Sequence, residues 1–181
     1  QGLVGLHASF TVEPETLKAA VDLMNVTHSG IHIHVAEDLA DQKQCEAQYH
    51  KRVVERLADS GALESSKTIL VHCLHLTDIE RQILKTKPVY IAQNMESNLK
   101  NNVGYFSKRG LSDRIMLGTD GMHSDMIRSA QAAYFVGQGF DQIDFEGAYL
   151  RFRKVHDYIK SNDFEGDGPN NLVVLDYDAP T

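Results

Sequence analysis

The sequence predicts an α/β fold built on a parallel sheet, and three observations carry that prediction. Short apolar runs rich in β-branched residues alternate with longer stretches whose apolar residues recur every three to four positions. Most successive runs are separated by enough chain to hold a helix, which is the connection parallel neighbours require. Each run also ends in a polar residue of a kind that does site chemistry, as expected where the carboxyl ends of parallel strands line one face.

The first unit is Leu3 to Leu6, followed by a helix opening near Thr11 with Pro14 in its first turn and Leu17, Ala20, Val21 and Met24 as its apolar stripe. The second is Ile31 to Ala36, with Cys45, Tyr49, Val53, Val54 and Leu57 as the apolar face of one helix ending at Gly61. The third is Thr68 to Val71, then a helix over Asp78 to Leu84 capped by Thr77. Val89 to Ala92 follows, with a polar loop and a helical turn around Val103 to Phe106. Ile115 to Gly118 precedes a helix over Asp125 to Phe135. Periodicity alone leaves open whether the sheet is an open doubly wound one or a closed barrel.

After Gly139 the pattern changes. "FEGAYLRFRKVHDYIK" reads as one amphipathic helix and "NNLVVLDYDAPT" as a strand with no helix behind it. The "EGDGP" stretch is the best boundary, so residues 1–165 form the α/β part and residues 166–181 begin a β-rich element.

Composition narrows the function. With 25 acidic against 18 basic residues, a net charge of -7 and no basic stripe, nucleic acid is not the expected partner. No apolar run approaches a membrane span and the N-terminus has no signal pattern, so a cytoplasmic protein is expected. Cys45 and Cys73 form no CxxC pair and read as idle thiols. The chain opens on Gln1, which reads as the start of an excised or processed piece.

The strand ends gather His7, His34 with Glu37 just beyond, His72, Asn94 and Asp120. A single strand-end histidine is more often a hydrogen-bonded loop residue than a ligand, and "GTDG" alone is a common turn. Coincidence across five strands favours a shared site. Imidazole and carboxylate suit Zn, Fe or Mn, which makes His34 and Asp120 candidate metal ligands. His32 shares a strand face with His34, one layer deeper, and reads as filler of the wall. Glu37 can serve as a proton shuttle, whereas Asp38 and Asp41 fit the N-terminal turn of a helix.

The motifs "GLHASFT", "HIHVAED", "VHCLHL", "QNMESNLKNN" and "LGTDGMHSDM", in that order, resemble the amidohydrolase superfamily in its aromatic deaminase and chlorohydrolase branch, nearest to the SsnA-type aminohydrolases. The resemblance implies strands four to eight of a (β/α)8 TIM-type barrel, with the tail returning to a small β-sandwich. It implies that His34 and Asp120 bind one divalent metal, zinc first, with iron or manganese as alternatives. Asp120 would also take a proton from the metal's water, Glu37 would protonate a ring nitrogen, and His72 would polarise the attacked centre or steady the metal hydroxide. His7, Ser97 and Asn98 match positions that contact substrate or frame the site, and His75 would be structural. Met95 stands where the family usually has proline, and the first-strand H-x-H pair has no counterpart after Gln1.

The resulting expectation is a metal-dependent amidohydrolase that deaminates a small ring compound. Dechlorination by the same site is the alternative within the class, and a catalytically incompetent fragment, or an α/β domain binding an anion, are the alternatives outside it. Five strands would leave two open edges and an uncovered apolar interior, covered by a homo-oligomer or by the remainder of the same protein.

Overall fold

The computed structural model describes residues 2–164, 172–174 and 176. Five strands form one parallel sheet in the order β1-β2-β3-β4-β5: β1 (Val4–Ala8), β2 (Ile31–Val35), β3 (Ile69–His72), β4 (Tyr90–Gln93) and β5 (Ile115–Leu117). Strand order follows chain order because each crossover carries the chain forward by one neighbour. The helices are α1 (Pro14–Thr27), α2 (Leu39–Tyr49), α3 (Val53–Asp59), α4 (Asp78–Thr86), α5 (Met95–Lys100), α6 (Met126–Phe140) and α7 (Phe145–Ser161), with a 3-10 turn over Ser9–Thr11.

Alternation along the strands separates two faces. Ile31, Ile33 and Val35 point to one side, where they meet Leu17, Val21 and Met24 of α1, Val53 and Leu57 of α3, and Leu84 of α4 in the main core. His32 and His34 take the other side, in register with Ile69 and Val71 of β3 and, through them, with Tyr90 and Ala92 of β4. Tyr90 and Met116 form a smaller cluster on that second face with Tyr158 of α7, against which Ile69 packs. The expected bare interior is therefore covered at its foot by α7. His32 is exposed rather than packed into the wall.

Two helical expectations need correction. The single helix expected over Cys45 to Leu57 is two, because His50 ends α2 in the left-handed conformation at φ 54° and the Gln42 side chain accepts the Val53 N–H at 3.1 Å. The helical turn after β4 is α5, Met95–Lys100, and not Val103 to Phe106. Phe106 is fully buried because it packs into the core from an irregular segment. Thr77 caps α4 as expected, accepting the Glu80 N–H at 3.3 Å. Of the expected C-terminal strand, Leu172–Val174 and Asp176 are exposed and carry no regular structure, and the rest lies outside the described residues, as does the expected boundary at residues 165–169. No helix among the described residues is long and apolar enough to cross a membrane.

Gly30 opens β2 for a steric reason: a Cβ there would collide with the backbone of Lys67 and Thr68.

Candidate active site

The carboxyl ends of the strands depart from regular backbone. Ala36 after β2, His72 and Cys73 at the end of β3, and Asp120 after β5 all have left-handed φ, between 48° and 72°. Each such residue costs about 1–2 kcal/mol for an L-amino acid, and strain of this kind gathers where the surrounding structure holds a functional group in place. At His72 it decides direction. Pairing sets His72 opposite Val35, which is buried on the helical side. The turned backbone breaks the alternation, and the His72 ring instead stacks on His34 with centroids 5.4 Å apart.

Glu37, His72 and Asp120 offer ligand atoms that all lie within 4.8 Å of one another. His72 Nε2 is 3.4 Å from a Glu37 carboxylate oxygen and 3.9 Å from one of Asp120. His72 is buried, and its Nδ1 lies 2.8 Å from Asn98 Oδ1. An amide oxygen only accepts, so Nδ1 carries the proton and Nε2 presents a lone pair. Burial holds the His72 pKa below the ordinary value; Glu37 and the Asn98 bond pull the other way without overturning it. A neutral imidazole nitrogen thus converges on two carboxylates with no donor among them. That arrangement of acceptors fits a cation.

His34 is prepared in the same way. Its Nδ1 donates to the His7 carbonyl oxygen at 2.6 Å, which leaves Nε2 free, and a bond of this sort fixes the tautomer of a ligating histidine. His34 does not belong to the 4.8 Å group, although its ring packs on His72. The donor set of imidazole and carboxylate suits a divalent transition metal.

The acids are held by neighbours. Asp120 accepts the Ser97 hydroxyl at 2.6 Å and the Gly121 N–H at 2.6 Å. Burial would raise its pKa, but these bonds, with His72 and His34 nearby, hold it below the usual carboxylate range. Asp41 accepts the Ala36 N–H at 2.9 Å and so pins the turn that presents Glu37, while burial pushes its own pKa up. Asp38 caps α2 through the Ala40 N–H at 2.7 Å.

Ser97 and Asn98 are buried and grip Asp120 and His72 rather than lining open space. His7 is exposed, with Nδ1 3.0 Å from the Thr11 hydroxyl and its ring edge-on to Phe10. His75 sits away from the group, 2.7 Å from the Val103 carbonyl oxygen. Asn94 is buried, and its side chain approaches Gly118 so closely that a Cβ there would collide with it. A cavity of about 340 Å³ opens beside His34 and Glu37, walled by Phe10, Ala40 and Val103.

Residues 2–150 match the amidohydrolase family. The chain belongs to that family. Among amidohydrolase relatives, the 5-methylthioadenosine/S-adenosylhomocysteine deaminase of Caldanaerobacter subterraneus subsp. tengcongensis is 38% identical over 128 residues, covering 68% of this chain and 29% of that protein. The protein of the same name from Aquifex aeolicus is 32% identical over 190 residues, covering 96% of this chain and 44% of the relative. The chain thus spans less than half the length of either.

Among solved structures, E. coli guanine deaminase matches with a TM-score of 0.77 at 21% identity, over 89% of this chain and 40% of that one. A zinc-bound adenosine deaminase from Xanthomonas campestris matches with a TM-score of 0.71 at 23% identity, over 83% and 38%. A mutant of the atrazine chlorohydrolase TrzN from Arthrobacter aurescens TC1, complexed with zinc and atraton, gives 0.69 at 16%, over 85% and 37%. These likenesses show the fold: the five-stranded sheet is part of the amidohydrolase barrel.

Proposed function

We propose that this chain supplies a large part of the active site of a metal-dependent deaminase acting on a small heteroaromatic ring compound. The observation that carries the reading is the convergence of His72 Nε2, Glu37 and Asp120 with no donor among them. The deaminase names of the relatives support the reaction class, and adenosine derivatives are the substrate class they suggest.

His34 and Asp120 would hold the metal. Zinc is the first choice, given the zinc in two structural neighbours. A divalent ion there supplies Lewis acidity toward water. Asp120 accepts a proton at its carboxylate, which Ser97 and Gly121 keep ionised and oriented. Glu37, presented by the turn that Asp41 pins, delivers a proton to a ring nitrogen. His72, kept neutral by burial and fixed as the Nδ1–H tautomer by Asn98, would accept a hydrogen bond from the attacking water at Nε2. The His7 and Phe10 edge and the cavity beside Glu37 receive the rest of the substrate.

The same groups would serve dechlorination, a reading favoured by the atrazine chlorohydrolase neighbour. The test is product release by the full-length protein loaded with zinc and offered adenosine derivatives or chlorinated triazines. Ammonia supports deamination, chloride supports the alternative, and neither product from any substrate overturns both.

A further inference from the structure

α5 is only six residues long, yet three consecutive side chains on it hold three different parts of the mouth. Ser97 holds the Asp120 carboxylate and Asn98 holds the His72 ring. Glu96 reaches the loop between β5 and α6, where its Oε2 is 2.6 Å from His123 Nε2, and the first turn of α6, where its Oε1 accepts Arg128 Nε at 2.9 Å. The direction of the His123 bond follows from the ring's other nitrogen. The Asp125 N–H donates to His123 Nδ1 at 3.1 Å, so Nδ1 is the acceptor and Nε2 carries the proton that Glu96 receives. Both side chains are mostly shielded, 16% and 21% exposed.

The loop so gripped carries Asp120, whose backbone sits at a left-handed φ of 54°. The Gly121 N–H, donated to Asp120 Oδ1 at 2.6 Å, eases that conformation locally, but it leaves the loop and the other carboxylate oxygen to be placed by contacts from elsewhere. A strained residue persists only where its surroundings over-determine it. Two bonds tie this loop to α5: Ser97 to the carboxylate itself and His123 to Glu96, three residues farther along.

We infer that the Glu96–His123 pair is a clamp that positions Asp120 for metal binding and proton transfer, so that both are positioning residues. The inference rests on the metal-dependent reading above and goes beyond it, because neither residue touches the acceptor group. In the proposed reaction the clamp would act on kcat and metal retention, leaving substrate affinity alone.

The test compares the full-length wild type with His123→Ala and His123→Gln, measuring zinc affinity by chelator competition, steady-state kinetics and the thermal midpoint of the metal-free protein. Removing an outer partner of a metal site typically costs 10- to 100-fold, so His123→Ala should weaken zinc binding and lower kcat by about 10-fold each, with KM within about twofold. The amide of His123→Gln can still donate to Glu96 and should recover most of both losses. The midpoint of the metal-free protein should not move. Zinc bound equally well by wild type and His123→Ala overturns the clamp while leaving the deaminase reading intact. Loss of zinc matched by a fall in the metal-free midpoint, or no recovery in His123→Gln, also overturns it. A wild type that holds no zinc overturns the clamp and the metal-dependent reading together.

Discussion

Two clusters of charge among the described residues, one enclosed behind the sheet and one open at the mouth, are built on opposite rules. Behind the sheet, Glu80 of α4 is fully enclosed and takes hydrogen bonds from every side: Arg52 Nε at 2.7 Å, the Thr77 N–H at 2.8 Å and hydroxyl at 3.0 Å, Gln42 Nε2 at 3.0 Å, and the Val54 N–H at 3.3 Å. Arg52 and Gln42 continue to the His75 carbonyl oxygen at 2.8 and 2.9 Å, so one carboxylate ties α2, α3, α4 and the end of β3 together. At the mouth, Glu37, His72 and Asp120 crowd together with acceptors facing acceptors, on backbone that is left-handed at His72 and Asp120. A charge with all its partners serves the fold, because losing one partner leaves an unpaired buried group. A cluster short of donors is free to bind something else.

The sharpest way to break this contrast is to neutralise one carboxylate in each cluster. Glu37→Gln should reduce turnover by the full-length protein on the order of 100- to 10,000-fold, the usual contribution of a general acid or base, with little change in its unfolding midpoint. Glu80→Ala should do the reverse. Removing one member of a buried ion pair costs roughly 3–5 kcal/mol, read as a lower urea midpoint at neutral pH. Equal stability losses in both variants would remove the distinction between the clusters.

A smaller probe stays within the structural cluster. Thr77 caps α4 and also donates to Glu80, so Thr77→Ala should destabilise by about 1 kcal/mol in the same urea assay. A loss as large as that of Glu80→Ala would mean that the cap, not the carboxylate, holds the three helices.

How much of this was legible in the sequence follows the same division. The parallel sheet and the alignment of His34, His72 and Asp120 at one mouth were readable, because strand periodicity and strand ends are local properties. So was the Thr77 cap, which needs only the residues after it. The Glu80 cluster was not, since a Glu on an amphipathic helix reads as surface until Arg52, 28 residues away, is brought onto it. The break between α2 and α3 escaped for the same reason: it depends on a left-handed His50, where sequence patterns look for glycine, and on the reach of Gln42 to Val53. Ser97 and Asn98 read as rim residues because nothing local says that α5 turns them inward. Glu96 and His123 were passed over altogether. A histidine three residues after a strand-end acid, in "DGMH", was the one available signal.

The least of the expected effects is the pH dependence that Glu80 confers. Enclosure alone would raise its pKa, but the Thr77 N–H, the Arg52 guanidinium and Gln42 outweigh it and leave the folded value below the ordinary one. A depressed folded pKa means that the unfolded chain takes up the proton first as pH falls. The stabilisation is therefore complete above the unfolded value near 4.3 and is lost as pH drops through the lower folded value. Comparing wild type with Glu80→Gln, the difference in thermal midpoint should stay constant from about pH 8 down to about pH 5 and shrink only below about pH 4. If it shrank between about pH 5 and pH 7 instead, the folded pKa would be raised and burial would have beaten the hydrogen bonds.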